Sequence, residues 1–463
     1  MAWRSVSGKV RCAVVGGCLV LWMIGGVSAA DRAVGLRVAT FEADATPPLG
    51  HPIYPSFKPL AEIQEPLLAK GIVLDDGQRR YVLCAIDWCT MGASTRELLR
   101  QQMADAAGTQ RACCTVHCVH QHSAPGVNIA ALEMLEKLDS PPPYLQRAFH
   151  EGVLARIGAA VKAATQRLQP CDRIGTGQAK VDCVASSRRL PGPDGKVASR
   201  MSSTKNKADL RDAPEGYIDP MLKTITFAQG EKPLARLHYY ATHPQSYYGD
   251  PRASRDFVGV AREKLQAEEG VFQVYFTGCA GDIAAGKYND GTVEARERLT
   301  ERIYQGLKAS VAGTQYQPVG PLVWRSVPVV FQPRVDAQYE PQTLRAQMAN
   351  LKESNNLRTR AARCLVYQQR GDVPIDVCAL EINQVFMLYL PGEPMVEFQL
   401  YAQRRRPEAF VAVAGYGDGS TSYICTDETH GQGGYEARAT MVAPGSEGRL
   451  KAAIDQLLGL ANP

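Results

Sequence analysis

The 463-residue chain has a formal net charge of +5, and 21% of its residues are charged. No block of lysine and arginine marks a nucleic-acid-binding face, so we expect no nucleic-acid partner. The length allows one large domain or two to three ordinary ones, at roughly 150 residues per domain. No repeat, linker or shift in composition divides the chain.

The first thirty residues are typical of an export signal. Three basic residues, Arg4, Lys9 and Arg11, precede an apolar run from Ala13 to about Ile24, and small residues close the segment. The run is too short for a membrane span, and no other stretch reaches the roughly 18 apolar residues that a span needs. We therefore expect a secreted or periplasmic protein without a transmembrane anchor, whose mature chain begins near residue 31.

Cysteine usage indicates neither a disulfide framework nor a cysteine-based zinc site. Two of the thirteen cysteines lie in the leader, which leaves an odd eleven in the mature chain, and there is no CxxC pair. Cys84 and Cys118 lie in strand-like apolar runs, where cysteine behaves as a small buried hydrophobic residue.

Along the mature chain, short β-branched runs alternate with helical stretches, which is the pattern of an α/β protein. Ser94, followed three residues later by Glu97, predicts a capping box. A stretch rich in proline, glycine and serine from 186 to about 220 predicts a functional loop. The predicted strands begin near residues 81, 113, 234, 272, 384 and 410, and the predicted helices near residues 94, 144, 257, 293 and 450.

Polar side chains of metal-ligating type repeatedly follow a predicted strand. In open α/β sheets, binding sites form beyond the carboxyl ends of the strands, because the loops diverge there. Five such strand ends therefore predict one shared pocket. The residues that follow them are His120 with His122, His243, Asp282, Glu393 and Tyr423.

The segment "VHCVHQH" predicts a pair of metal ligands. If strand geometry continues through Gln121, alternation points His120 and His122 the same way and turns His117 to the other face. Two imidazoles completed by carboxylate oxygens are typical of zinc sites. The alternative is that these histidines only make hydrogen bonds in a loop, and Glu393 could likewise only cap a following helix.

Taken together, these motifs resemble the catalytic domain of the neutral, non-lysosomal ceramidases, zinc amidases that cleave the N-acyl bond of ceramide. The family's THTHSGPG is matched by "VHQHSAPG" from residue 119, and its NYACHP by "YYATHP" from residue 239. Its Gly-Asp turn, glutamate motif and tyrosine-rich segment are matched by "CAGDI", "LPGEP" and "SYICTDETHGQGGYE". The motifs occur in the family's order and extend over nearly the whole mature chain.

The resemblance implies a zinc cofactor and a role for each matching residue. It implies that His122 binds or polarises the scissile carbonyl and that Arg188 anchors the polar head of the substrate. It also implies that Tyr435 either supports the metal ligands by a hydrogen bond or donates to the developing oxyanion. The zinc ligands that it implies are His120, His243, Glu393 and Tyr423.

The chain also departs from the family pattern. Ala284 stands where the family has a serine that contacts the substrate amide, and His430 replaces a tyrosine. Residues 31–463 match the catalytic domain alone, so we expect the C-terminal β-sandwich of true ceramidases to be missing.

The leading interpretation is an exported zinc-dependent hydrolase with a small-molecule or lipid amide substrate, in peripheral contact with a membrane if that substrate is a lipid. A second is an exported binding protein that keeps the fold and has lost turnover, which Ala284 favours. A third, a cation-dependent phosphatase or sulfatase-like enzyme, would use Asp87 and Asp282, although aspartates in such turns usually cap backbone amides. We expect one large α/β domain, with mixed β-sheets covered by helices and a metal pocket at the strand ends.

Overall fold

Three large mixed β-sheets, each with helices packed on it, form the protein in a computed structural model that describes residues 35–193, 195–205 and 207–460. The predicted export signal lies outside the described residues. The first sheet, in spatial order, contains Gln169–Pro170, Arg37–Asp44, Leu68–Asp75, Arg80–Ile86 and Cys114–Cys118. The second contains Phe272–Thr277, Lys232–Tyr240, Met221–Gln229, Arg173–Lys180 and Gln315–Pro318. The third contains Leu322–Val329, Ile375–Ile382, Val385–Tyr389 and Phe410–Ala414.

The helices cover these sheets in pairs. Ala93–Ala107 and Arg147–Thr165 pack on the first sheet, and Asp256–Glu269 and Val293–Ala312 on the second. Val396–Arg405 and Ser446–Leu457 pack on the third. The remaining α-helices of the described residues are Ile129–Leu135, Ala208–Asp212, Pro341–Ala349, Asn355–Arg370, Asp427–Gln432 and Tyr435–Ala439.

Short two-stranded sheets tie the connecting loops together. Two of them, Ser186–Ser187 with Ile283–Ala284 and Glu393–Pro394 with Tyr423–Ile424, join segments that carry predicted site residues. The others pair Pro52–Ile53 with Lys58–Pro59, Glu62–Ile63 with Arg252–Ala253, Thr90–Met91 with Gly126–Val127, and Arg189–Pro191 with Val197–Ser199.

Each large sheet has one parallel strand pair, and that pair lies at an edge of the sheet, whereas its other neighbouring strands are antiparallel. The edge strands of these pairs are Cys114–Cys118, Phe272–Thr277 and Phe410–Ala414. Apart from the first residue of the second and third, their residues are all buried. Burial on both faces explains why they read as continuous apolar runs rather than as alternating ones.

The carboxyl ends of the three edge strands meet and are joined by hydrogen bonds. Cys118 N–H donates to Tyr416 O over 3.0 Å, and Gly415 N–H donates to Thr277 O over 2.9 Å. Thr277 Oγ1 then donates to Val119 O over 2.6 Å, which closes the ring. The loops that leave this junction are therefore held close together, as the predicted shared pocket requires.

The predicted strands and helices are present, with their ends shifted by a few residues, and the fold class is confirmed. The capping box at Ser94 is wrong. The helix begins at Ala93, so its N-cap residue is Gly92, which has no side chain to cap the helix. Ser94 lies inside the helix, and its Oγ donates to Asn128 Oδ1 over 3.2 Å. Tertiary packing against the segment around Asn128 therefore overrides the local capping signal.

Two further features bear on the expectations from sequence. The eleven cysteines of the described residues are free thiols, and all except Cys183 are buried. Within the described residues, no helix combines the length and the apolar character that crossing a membrane would need.

Candidate metal centre

His120 and His122 lie in the loop that follows the edge strand of the first sheet. The strand ends at Cys118, and His120 adopts a left-handed conformation with φ of 77°. The prediction that strand geometry continues through Gln121 is therefore wrong, so alternation does not explain why the two side chains point the same way. The side chains nevertheless converge, because the left-handed residue turns the loop, and their Nε2 atoms lie 3.2 Å apart.

A hydrogen bond and a ring stack fix the orientation of the His120 side chain. Its Nδ1 lies 2.6 Å from Cys89 O, so this nitrogen carries the proton and donates to the carbonyl. Its ring stacks on Tyr416, with centroids 4.2 Å apart. The Nε2 lone pair is left facing Glu393 Oε2 at 3.4 Å.

His243, which follows a strand of the second sheet, is also held through Nδ1 by backbone carbonyls. It follows the strand Lys232–Tyr240, and its Nδ1 lies 2.7 Å from Ala280 O and 2.9 Å from Ile283 O. The Nε2 lone pair therefore points away from these carbonyls. It lies 3.4 Å from Glu393 Oε2 and 3.3 Å from Arg188 Nη1.

Glu393 comes from the third sheet, four residues beyond the end of the strand Val385–Tyr389. It does not cap the following helix, because the first amide of that helix, Val396 N–H, donates to Asp282 Oδ1 over 2.8 Å. Glu393 Oε2 is buried without a hydrogen-bond partner among the described residues. Burial alone would raise the pKa of Glu393, but His120 and His243 hold it well below its usual value.

The spacing of these atoms fits a tetrahedral zinc ion. Zinc bonds of about 2.0 to 2.1 Å at the tetrahedral angle place neighbouring ligand atoms about 3.3 Å apart. The distances from Glu393 Oε2 to the two Nε2 atoms are both 3.4 Å. Glu393 Oε2 is buried without a hydrogen-bond partner among the described residues, and a cation held between it and the two Nε2 atoms would satisfy it. The donor set of His120, His243 and Glu393 therefore fits zinc.

The protonation states agree with this fit. Burial lowers the pKa of His243 to about 4 and that of His122 well below its usual value. Both rings are therefore neutral at pH 7, as metal ligands must be. His122 groups with His120 and Cys89 rather than with the other two ligand atoms, which places it beside the set instead of within it.

Arg188 and two tyrosines form the wall next to this set. Arg188 Nη1 donates to Tyr423 Oη over 3.2 Å, and the guanidinium carbon lies 5.0 Å from the centroid of the Tyr435 ring. Glu436, fully buried, lies 3.4 Å from Arg188 Nε and holds the guanidinium from behind. Tyr423 is buried, whereas 37% of Tyr435 is exposed at the mouth. The backbone of Tyr423 pairs with that of Glu393.

Most of the predicted site residues line one cavity of about 80 Å³. They are His120, His122, Arg188, Glu393, Tyr423 and Tyr435. His243 lies directly behind, in contact with Glu393 and Arg188. The sequence reasoning missed Tyr54, Arg360 and Arg363, which also line the cavity, and Tyr416, which supports His120. Tyr416 lies at the end of the segment that was predicted as a strand from residue 410, whereas the two arginines lie on a helix that was not predicted.

The carboxylates needed by a phosphatase-like centre are not part of the site. Asp87 is buried in an ion pair with Arg262, at 2.9 Å, and accepts the Leu68 amide over 3.0 Å. Asp282 caps the helix at Val396. Both aspartates therefore bond to backbone amides or to a buried arginine outside the site. The third interpretation, a phosphatase or sulfatase-like enzyme that uses them, is wrong.

Ala284 and His430 occupy the two positions that depart from the family pattern. Ala284 is buried, and its carbonyl accepts a hydrogen bond from Ser186 Oγ over 2.8 Å. It bridges to His243 through the backbone, so the position is next to the site but has no hydroxyl to offer. His430 lies on the helix Asp427–Gln432 and does not line the cavity.

The fold matches solved ceramidase structures. A neutral ceramidase from Pseudomonas aeruginosa aligns with a TM-score of 0.64 at 16% identity, over 92% of this chain and 75% of that one. A ceramidase complexed with C2 aligns with a TM-score of 0.64 at 17% identity, over 93% of this chain and 76% of that one. No family model and no curated protein matches the sequence. The resemblance read from the motifs is therefore confirmed at the level of the fold.

Proposed function

We propose that this protein is a zinc-dependent hydrolase that cleaves an N-acyl amide bond of the kind found in ceramide. The observation that carries the proposal is the convergence of His120, His243 and Glu393, whose facing atoms have zinc-ligand spacing. They converge at the strand ends of a fold shared with neutral ceramidases. His120, His243, Glu393 and Tyr423 are the proposed ligands.

A zinc ion at this site would supply Lewis acidity, polarising a carbonyl and lowering the pKa of bound water. The chain's own residues then orient and stabilise the reacting groups. Hydrolysis breaks the amide C–N bond, joins a water oxygen to the acyl carbon and returns a proton to the leaving nitrogen. The products are a carboxylate and an amine.

Arg188, His122 and Tyr435 surround the place where charge develops on the carbonyl oxygen. Arg188 is the strongest donor, because it is permanently charged and is held by Glu436 and Tyr423. A preorganised donor of this kind stabilises an oxyanion without reorganising during the reaction. His122 is neutral at pH 7 and can donate or accept a proton there, and Tyr435 can donate its hydroxyl from the mouth.

The absence of a hydroxyl at Ala284 restricts how the reaction can proceed. No side chain at that position can attack the acyl carbon or contact the amide. The proposal therefore uses water as the direct nucleophile. The same observation favours the second candidate, a binding protein that retains the site without turnover.

The experiment that separates these candidates measures zinc content and hydrolysis on the same preparation. The purified protein, supplied with zinc, is expected to hold about one ion per chain and to release fatty acid from short N-acyl amides. A His120→Ala, His243→Ala double variant should lose both the ion and the activity. Bound zinc without hydrolysis would favour the second candidate, a binding protein without turnover. Absence of zinc from the wild-type protein would overturn the metal site itself.

We also propose that the chain is exported and that residues 31–463 form the catalytic domain. The support is the basic start, the apolar run and the small residues of the first thirty positions. Mass determination of the protein expressed with its full leader would locate the cleavage point, which we expect near residue 31.

A further inference from the structure

The candidate cavity is more cationic than an uncharged substrate requires. Its lining contains three arginines, Arg188, Arg360 and Arg363, against one carboxylate, Glu393. Of these three, only Arg188 is paired with a carboxylate of the described residues, through Glu436. Arg360 and Arg363 are therefore two cations without a role in the proposed hydrolysis.

Arg363 lies deep on the helix Asn355–Arg370 and close to the metal site. Its guanidinium carbon is 5.4 Å from the centroid of the Tyr54 ring, and the centroid of the His122 ring lies 6.1 Å from that of Tyr54. One tyrosine ring thus separates Arg363 from His122. The Nε atom of Arg363 is buried and has no hydrogen-bond partner among the described residues.

Arg360 precedes Arg363 by three positions on the same helix, so the two side chains lie on the same face. Arg360 donates to two uncharged acceptors, Tyr339 Oη over 2.7 Å and Arg438 O over 3.5 Å. Neither arginine forms an ion pair with a carboxylate in the described part of the chain. Burial lowers the pKa of Arg363, but the phenols of Tyr54 and Tyr144 and the thiol of Cys364 outweigh it and raise that pKa above its usual value.

Other buried arginines of the described residues lie beside carboxylates or backbone carbonyls, although the Nε atoms of some, such as Arg96 and Arg296, also have no hydrogen-bond partner. Arg262 pairs with Asp87 at 2.9 Å, and Arg100 pairs with Glu97 at 2.8 Å. Arg200 and Arg358 have no carboxylate but donate to backbone carbonyls. A buried cation without a counter-charge costs folding free energy, and an anion bound beside it would offset that cost.

We propose that the substrate carries an anionic group close to its scissile amide, and that Arg360 and Arg363 bind this anion. The inference rests on the proposed function, whose substrate class it narrows from neutral amides to acidic ones. A carboxylate or a phosphate ester fits equally, because a guanidinium binds the oxygens of either in a bidentate manner. Such a group would occupy the part of the cavity beside Tyr54, with the amide next to His122 and Glu393.

Three substrates that differ only in this group test the inference. They are N-octanoylglycine, N-octanoylethanolamine and the phosphate ester of the latter, each offered to the zinc-loaded protein. We expect kcat/KM for at least one anionic substrate to exceed that for the neutral one by about tenfold or more, which is the contribution of a charged hydrogen bond. Whether the glycine or the phosphate derivative leads distinguishes the two sources of the anion.

Variants then assign the preference to the arginines. Arg363→Met should reduce the ratio of anionic to neutral kcat/KM to within about threefold, and Arg363→Lys should retain part of it. Arg345→Met is the matched control, because Arg345 is exposed on the neighbouring helix Pro341–Ala349 and does not line the cavity. This control should leave the ratio unchanged.

Calorimetric binding separates failure of the inference from failure of the proposed function. If no substrate is hydrolysed but N-octanoylglycine or the phosphate ester binds more tightly than the ethanolamide, and loses this advantage in Arg363→Met, the hydrolase proposal fails and the anion site stands. An equal or greater preference for the neutral compound, in turnover and in binding, would overturn the anion site. So would an equal loss in Arg345→Met.

Discussion

Two pairs of buried histidines, similar in sequence context, differ in how their ring nitrogens are used. His117 and His238 each bond through both nitrogens. His117 contacts Gly415 O at 2.6 Å and Thr115 Oγ1 at 2.9 Å. His238 contacts two side chains of the second sheet, Thr224 Oγ1 at 2.8 Å and Gln273 Oε1 at 2.7 Å. His120 and His243 instead use Nδ1 alone for backbone carbonyls and turn Nε2 towards Glu393.

Burial does not distinguish the two pairs. It lowers the pKa of His117 and of His238 to about 3, and that of His243 to about 4, so these three rings are neutral at pH 7. The difference lies in the second nitrogen, which bonds to a side chain of the surrounding strands in one pair and lies 3.4 Å from Glu393 Oε2 in the other. A ring with one nitrogen fixed and the other presented to a shared point is the arrangement that metal sites use.

Removing one ring from each pair should give the largest contrast. His120→Ala is expected to weaken zinc binding by more than the roughly tenfold to hundredfold typical of removing only a ligand's supporting partner. His117→Ala should keep zinc affinity within a few-fold, but it should lower the free energy of unfolding by roughly 2 to 4 kcal/mol, because it leaves a cavity and orphaned partners. Competition with a chromophoric chelator and denaturant unfolding measure the two effects. Equal losses of zinc in both variants would remove the distinction.

The same contrast exists between neighbouring arginines and predicts the next largest effect. Arg188 faces the cavity, whereas Arg189 donates away from it to Gln432 Oε1 and Gly433 O. Arg188→Lys should retain zinc and reduce kcat by about a hundredfold, the loss expected for a misplaced oxyanion donor. Arg189→Lys should retain most of the activity. Steady-state kinetics on a short N-acyl amide, with zinc content measured in parallel, would show whether the two positions differ.

Acid should destabilise the fold through the histidines that the protein keeps satisfied. Burial depresses the pKa of His117 from 6.5 to about 3, so the unfolded chain binds its proton first. The stabilising contribution is complete above pH 6.5 and is lost as the pH falls towards 3, at up to about 1.4 kcal/mol per pH unit. In His117→Gln, the slope of unfolding free energy against pH between pH 6 and 4.5 should fall by up to about 1.4 kcal/mol per pH unit, the value for one proton. Denaturant unfolding across that range, with zinc chelated, measures it, and an unchanged slope would contradict the assignment.

The smallest effect is expected from the ring that stacks on His120. Tyr416 lies 4.2 Å from it, centroid to centroid. Tyr416→Leu should weaken zinc binding by about threefold to tenfold, because an aromatic pair contributes roughly 0.5 to 1.5 kcal/mol beyond its buried area. Tyr416→Phe keeps the stack and should bind zinc as the wild type does. If both variants lose affinity equally, the hydroxyl rather than the stack is responsible.

The sequence allowed much of this arrangement to be predicted. The apolar edge strands were recognisable because burial on both faces makes them continuous, and the polar residues that follow them marked the pocket. The helix Asn355–Arg370 was missed, because its buried face mixes Arg358 and Thr359 with mostly small apolar residues, which weakens the apolar pattern. Arg363 could not be assigned to the cavity from sequence, since an arginine on a polar helix is usually exposed.

Other features could not have been predicted because they depend on tertiary contacts. The left-handed conformation at His120 accompanies hydrogen bonds from Val119 to Ile86 O and from His120 to Trp88 O. Likewise, Asp282 was placed among candidate ligands by its position after a strand. It acts instead as the cap of a helix more than a hundred residues away in sequence.

The ring of hydrogen bonds that joins the three edge strands has a consequence for how the molecule opens. Cys118, Thr277 and Gly415 are far apart in the chain, so the ring closes only when all three sheets have docked. Contacts of such long sequence separation form late and slow the folding reaction. An ion bound across the same junction would act as a cross-link, and amide hydrogen exchange at the ends of all three strands would then slow together rather than one sheet at a time.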